Sequence, residues 1–125
     1  MDIKFIKKLF IVSAAYDFII GLIFLVAFKH LYNHFGVALP NHDGYIQFAA
    51  IVVMAFGVGF WFVAQDPVRN RDIIKMGIIL KIAYSGVVLG HDFFGYVPSV
   101  WVPWAYIDLV FLILFIMAHK ALPKS

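Results

Sequence analysis

Of the 125 residues, 64% are hydrophobic and only 14% charged, whereas an average soluble domain is roughly 45–50% apolar and about 25% charged. A water-soluble fold is excluded, and the composition predicts an all-α integral membrane four-helix bundle. The lack of cysteine removes disulfides, thiolate zinc sites, iron–sulfur clusters, covalent c-type haem and cysteine nucleophiles. A net charge of +3 is accounted for by basic residues beside the apolar spans, so the lipid bilayer is the expected partner and nucleic acid is not.

Taken in chain order, four apolar segments cover residues 9–28, 46–64, 73–90 and 100–118, each close to the roughly 20 residues that cross a bilayer. They leave only short loops, so residues 1–125 are read as a single four-helix transmembrane domain. The first segment follows Lys4, Lys7 and Lys8. Its apolar core is longer than the usual h-region of about 7–15 residues and lacks a small-x-small cleavage site, so it is expected to remain as a helix. Asp66 followed by Pro67 predicts an N-cap with proline at the first helical position, joining the second and third spans in a tight hairpin.

Eight basic residues lie on one side: Lys4, Lys7, Lys8, Arg69, Arg71, Lys75, Lys120 and Lys124. The opposite loops hold only Lys29. The positive-inside rule therefore predicts cytoplasmic N- and C-termini. Tyr32, Tyr45, Tyr96, Trp101 and Trp104 gather at the outer boundary and Trp61 near the inner one, as an interfacial aromatic belt requires.

Three ionisable residues fall inside the spans: Asp17, Lys81 and Asp108. A rise of about 1.5 Å per residue places Asp17 and Lys81 about 12 Å, and Asp108 about 15 Å, from the basic end of their spans, near the middle of a hydrocarbon core about 30 Å thick. Neither aspartate reaches an interface from there, and unpaired the three groups would cost about 2.5–3.5 kcal/mol each. Lys81 is therefore expected to bridge both carboxylates. Ser13 and Gly21 flank Asp17 at i±4, and Gly77 and Ser85 flank Lys81 likewise. These small residues predict close approach of the first and third helices, with Tyr84 as a further hydroxyl partner. Two aspartates against one lysine leave a formal −1, so a proton, a cation or a cationic ligand must complete the cluster. A purely structural ion pair that fixes helix register is the alternative.

Four of the five histidines, His30, His34, His42 and His91, lie on the outer side. His30 and His34 stand at i, i+4 as a candidate metal clip, with His42 or His91 as third ligand. On the second helix Gln47, Ala50, Met54, Gly57 and Trp61 recur at helical spacing. Gln47, Met54 and Trp61, with Trp104, are candidate cavity-lining residues, suited to a quinone or a lipid, and a filled core is the alternative. Gly86 and Gly90 form a GxxxG, a candidate homodimer contact.

The run D-P-x-R-N-R from Asp66 to Arg71, followed by Lys81, Tyr84 and the D-L-V-F-L-I-L-F from Asp108 to Phe115, resembles small four-span bacterial membrane proteins of the DoxX-like families. The resemblance covers residues 57–118 and implies a four-helix bundle in the bacterial cytoplasmic membrane, some of whose relatives are linked to quinone or thiol redox systems. The expected role is a binding or assembly module serving redox or transport partner proteins. A quinone- or lipid-binding enzyme subunit and a proton-coupled transporter are the alternatives.

Overall fold

Asp2 opens the first helix: its Oδ1 accepts a hydrogen bond from the Phe5 amide at 2.8 Å, satisfying one of the donors that a helix start leaves free. In the computed structural model, which describes residues 1–124, this helix, α1, runs Ile3–His34. Its 32 residues are interrupted by a kink at Ala27, where φ is −130° and ψ 20°, and at about 1.5 Å per residue they extend at most about 48 Å, beyond the predicted span at both ends. The helix stops at Gly36, whose φ of 67° suits glycine. The Gly36 amide donates to the Asn33 carbonyl at 3.1 Å and the Val37 amide to the Tyr32 carbonyl at 2.9 Å, the paired bonds of a Schellman close.

The remaining elements are α2, Gly44–Gln65, α3, Arg71–Phe94, a 3-10 turn, Ser99–Trp101, and α4, Val102–Ala121. All four helices are long and apolar enough to cross a membrane. The expected hairpin between α2 and α3 differs in detail. Asp66 Oδ1 accepts from the Arg69 amide at 3.1 Å, so the cap forms, but it closes a separate turn and α3 begins only at Arg71. Asn70 Nδ2 donates to the Phe62 carbonyl at 2.9 Å and the Asp66 carbonyl at 3.1 Å, a second donor for each beside the Asp66 and Asn70 amides, which ties the turn to the end of α2. Arg71 donates to the Pro123 carbonyl and fastens this turn to the C-terminal segment.

Ile6 from the start of α1, Val63 and Ala64 from the end of α2, Ile74 from the start of α3, Ala118 from the end of α4 and Leu122 just beyond it share one buried cluster. The helices therefore alternate up and down, with both termini at one end of the bundle. At the other, loop end, Phe28, Tyr32, Ile46 and Val100 form a second cluster, and Val88, Val97 and Ala105 a third. Side chains facing outward at mid-height are apolar, among them Ile19, Val26, Ile51, Ile79, Val110 and Ile113. Asp17, Lys81 and Asp108 are buried. Apolar outside with charge inside is the arrangement of a bundle solvated by lipid.

The four helices form two hairpins. α1 packs along α2 and α3 along α4, whereas the α2–α3 and α1–α4 seams are thin. Glycine sets the first packing. A Cβ at Gly57 would stand 2.9 Å from Phe18 N and 3.0 Å from the Ala14 carbonyl, and one at Gly21 would stand 2.8 Å from the Ala50 carbonyl. The expectation that Gly21 and Gly77 bring α1 against α3 is thus corrected. Gly21 serves the α1–α2 contact, and Gly77 leaves room for the rings of Phe60 and Phe115.

Candidate functional site

Where the two hairpins meet, the three charges converge. Lys81 Nζ, on α3, donates to Asp17 Oδ1 at 2.9 Å and Oδ2 at 3.1 Å on α1 and to Asp108 Oδ1 at 3.0 Å on α4. The predicted bridge is therefore present. Asp17 and Lys81 are 2% and 1% exposed and Asp108 7%; Asp108 alone keeps a carboxylate oxygen, Oδ2, outside these hydrogen bonds among the described residues. The ammonium also lies 5.3 Å from the Phe111 ring centre and 5.8 Å from those of Tyr16 and Phe60, so ring faces add to its stabilisation.

Below the cluster, toward the termini, the bundle is filled. Phe10 and Phe115 stack at 4.6 Å, Phe60 meets Phe115 nearly edge-on at 5.1 Å, and all three rings are fully buried. Above it, toward the loops, residues of both hairpins line a cavity of about 660 Å³. That size lies within the usual range for small-molecule sites, about 300–1,000 Å³. Asp17, Lys81 and Asp108 form its floor, Ile20, Phe24, Ile46, Ala49, Val53 and Leu80 its sides, and Tyr32, Trp101, Trp104, Pro40 and Pro98 its loop-end rim. One side of the cluster is thus dry and packed, and the other opens into an apolar vestibule.

Hydrogen bonds tie the rim together. The Tyr84 hydroxyl donates to the Trp101 carbonyl at 2.7 Å, and Trp101 Nε1 donates to the Tyr32 hydroxyl at 2.7 Å. These two bonds connect α3, the 3-10 turn and α1 around the vestibule. Tyr84 is therefore a rim residue that lines the cavity, and the expectation that its hydroxyl partners Lys81 is corrected. Ser85 Oγ donates to the carbonyl of Lys81 itself, a bond within the helix that helps fix the lysine's own turn. Ser13 is fully buried next to the filled half, and its hydroxyl has no partner among the described residues.

Of the cavity-lining residues expected from sequence, Trp104 lines the vestibule, whereas Gln47, Met54 and Trp61 do not. Gln47 and Trp61 are exposed, and Met54 packs against Gly21. Of the stripe expected as a cavity wall, Ala50 does line the vestibule while its carbonyl meets Gly21, and Met54 and Gly57 go into the α1–α2 contact; the rest of the α2 lining falls on Tyr45, Ile46, Ala49 and Val53. Tyr16 is the residue the sequence reading passed over. It borders the cavity, and its buried hydroxyl has no partner among the described residues. Its position beside an intramembrane aspartate was the available signal.

The histidines do not assemble. His30, His34 and His91 are exposed, and His42 Nδ1 accepts from the Gly44 amide at 2.9 Å, which caps the start of α2. Among the described residues, no three His, Asp or Glu side chains gather in a metal-ligating group. Gly86 is exposed and Gly90 half-buried, and neither would place a Cβ within 4 Å of another group, so the GxxxG lies open on the outside of α3. Comparison with protein-family models, curated proteins and solved structures gives no match to this chain.

Proposed function

We propose that this chain is a ligand-binding module of the bacterial cytoplasmic membrane, with both termini cytoplasmic, whose vestibule receives a small apolar molecule from the outer half of the bilayer. The observation that carries this reading is the one-sided environment of the charge cluster. A structural ion pair needs packing all round it, yet here an apolar cavity of about 660 Å³ ends on the cluster. Eight basic residues at the termini end against Lys29 at the loop end support the orientation, and the DoxX-like resemblance supports the bacterial membrane.

A lipid chain or another apolar molecule suits the walls better than a quinone does. Quinone carbonyls need donors; the Lys81 ammonium is already engaged by two carboxylates, which leaves a quinone the Tyr16 hydroxyl alone among the cluster's neighbours. Native mass spectrometry of the chain released from its own membrane tests the reading. A discrete bound mass is expected in the wild type and lost in Val53→Phe, which fills the vestibule without touching a charge. Equal retained masses in both proteins would count against a vestibule ligand.

The same asymmetry favours a second reading, a proton-coupled transporter seen closed at the termini end by Phe10, Phe60 and Phe115. Flux in proteoliposomes, lost in Asp17→Asn, is its test. In either case partner proteins of a redox or transport system would meet the outer surface of the bundle.

A further inference from the structure

We infer that the vestibule selects a lipophilic monocation, an ammonium group on an apolar body, whose charge sits against Asp108. This deepens the binding-module reading above and rests on it. Charge complementarity carries it. The floor holds two carboxylates and one ammonium, all nine-tenths or more buried, and so carries one formal negative charge in excess. The lysine is placed to balance only one of them. It engages both oxygens of Asp17 but a single oxygen of Asp108, which leaves Asp108 Oδ2 as the acceptor open to a ligand. The buried Tyr16 hydroxyl, without a partner among the described residues, offers a second polar contact at the same level.

The rest of the vestibule suits the body of such a molecule. Phe24, Trp101 and Trp104 give it aromatic faces, which attract ammonium groups as well as alkyl chains. Among the described residues no other lysine, arginine or histidine lines the cavity, so a carboxylate or phosphate headgroup would find no cation there besides Lys81, which is already engaged. A neutral alcohol would gain the apolar contacts without the charge pairing.

Three probes of one chain length separate these cases: dodecylammonium, dodecanol and dodecanoate, titrated into the full chain in nanodiscs of zwitterionic lipid. Fluorescence of Trp101 and Trp104, read in a Trp61→Phe background, provides the readout, and empty nanodiscs correct for partition. Dodecylammonium is expected to bind at least about tenfold more tightly than dodecanol, as the coupling of close buried charges requires, with dodecanoate weakest. Asp108→Asn keeps an acceptor for Lys81 and balances the floor, so it should bring dodecylammonium down to the level of dodecanol; Asp108→Glu should retain the preference.

Equal affinity for the ammonium and the alcohol in the wild type would overturn the charge inference while leaving the vestibule reading standing. An unchanged preference in a folded Asp108→Asn would do the same. Loss of all binding in Val53→Phe, which leaves every charge in place, ties the signal to this cavity, and the wild-type comparison of ammonium with alcohol keeps the charge inference testable if Asp108→Asn does not fold. If none of the three probes binds the wild type, the vestibule reading itself fails, and the charge inference with it.

Discussion

Lys81 Nζ stands 2.9 Å from Asp17 Oδ1, joining α3 to α1, two helices whose backbones scarcely approach one another. With Asp108 on the other side, the lysine is the main polar link between the two hairpins. Replacing it by methionine leaves two buried carboxylates without a counter-charge, and breaking a buried pair in this way costs about 3–5 kcal/mol. Unfolding of Lys81→Met in mixed micelles should show a loss of that order. Adding Asp17→Asn and Asp108→Asn to the same chain should restore much of it, because removing every charge is far less costly than leaving two unpaired. A triple variant no more stable than Lys81→Met would show that the lysine acts through packing and not through charge.

Gly57 and Gly86 make a matched pair for the second prediction. A Cβ at Gly57 would strike the backbone of α1 at 2.9 Å, whereas one at Gly86 meets nothing within 4 Å. Gly57→Ala should therefore destabilise the bundle by about 1–3 kcal/mol through overpacking. Gly86→Ala should be neutral or gain up to about 1 kcal/mol from helix propensity. Equal effects in the same unfolding assay would contradict the assignment of Gly57 to the α1–α2 seam.

These two cases also mark what the sequence makes legible. Length, hydropathy and charge position suffice to place four helices and to put Asp17, Lys81 and Asp108 at one depth, because the cost of an unpaired charge in lipid leaves few other arrangements. They do not specify which face of a helix meets which neighbour. Met54 and Gly57, at helical spacing with the cavity-lining Ala50, suit a cavity wall and a close helix contact equally well. Only the approach of α1, permitted by Gly21 and Gly57 together, decides between them. The role of Tyr84 was hidden for a similar reason: its partner, the Trp101 carbonyl, lies in a turn whose position depends on the loop between α3 and α4. His30, His34 and His91 share a membrane side, yet a metal site needs convergence in three dimensions, which spacing on one helix does not supply.

Tyr84→Phe removes the 2.7 Å bond to the Trp101 carbonyl while keeping the ring. Trp101 is the residue that caps α4, so its carbonyl still heads the helix ladder and losing this one bond costs about 0.5–1.5 kcal/mol; the effect should be local to the rim. Hydrogen exchange should quicken at residues 99–102, with little change around Lys81. Tyr32→Phe, which removes the acceptor of Trp101 Nε1, should produce the same pattern. If exchange near Lys81 rises as strongly as at the rim, the tyrosine supports the charge cluster and not the vestibule's edge.

The orientation of the bundle is open to a test with no background, since the chain contains no cysteine. Leu39 is 43% exposed in the loop between α1 and α2, and Lys124 is exposed at the opposite end. Positive residues are retained on the cytoplasmic side, and the basic residues Lys4, Lys7, Lys8, Arg69, Arg71, Lys75, Lys120 and Lys124 all gather at the termini end. In intact cells, a membrane-impermeant maleimide should label Leu39→Cys and spare Lys124→Cys until the membrane is opened. The reverse pattern would place the vestibule on the cytoplasmic side. A ligand would then be drawn from the inner leaflet, and the positive-inside distribution would have another cause, such as an anionic partner at the termini end. Labelling of both positions in the same cells would mean dual insertion, which the imbalance of eight basic residues against Lys29 argues against.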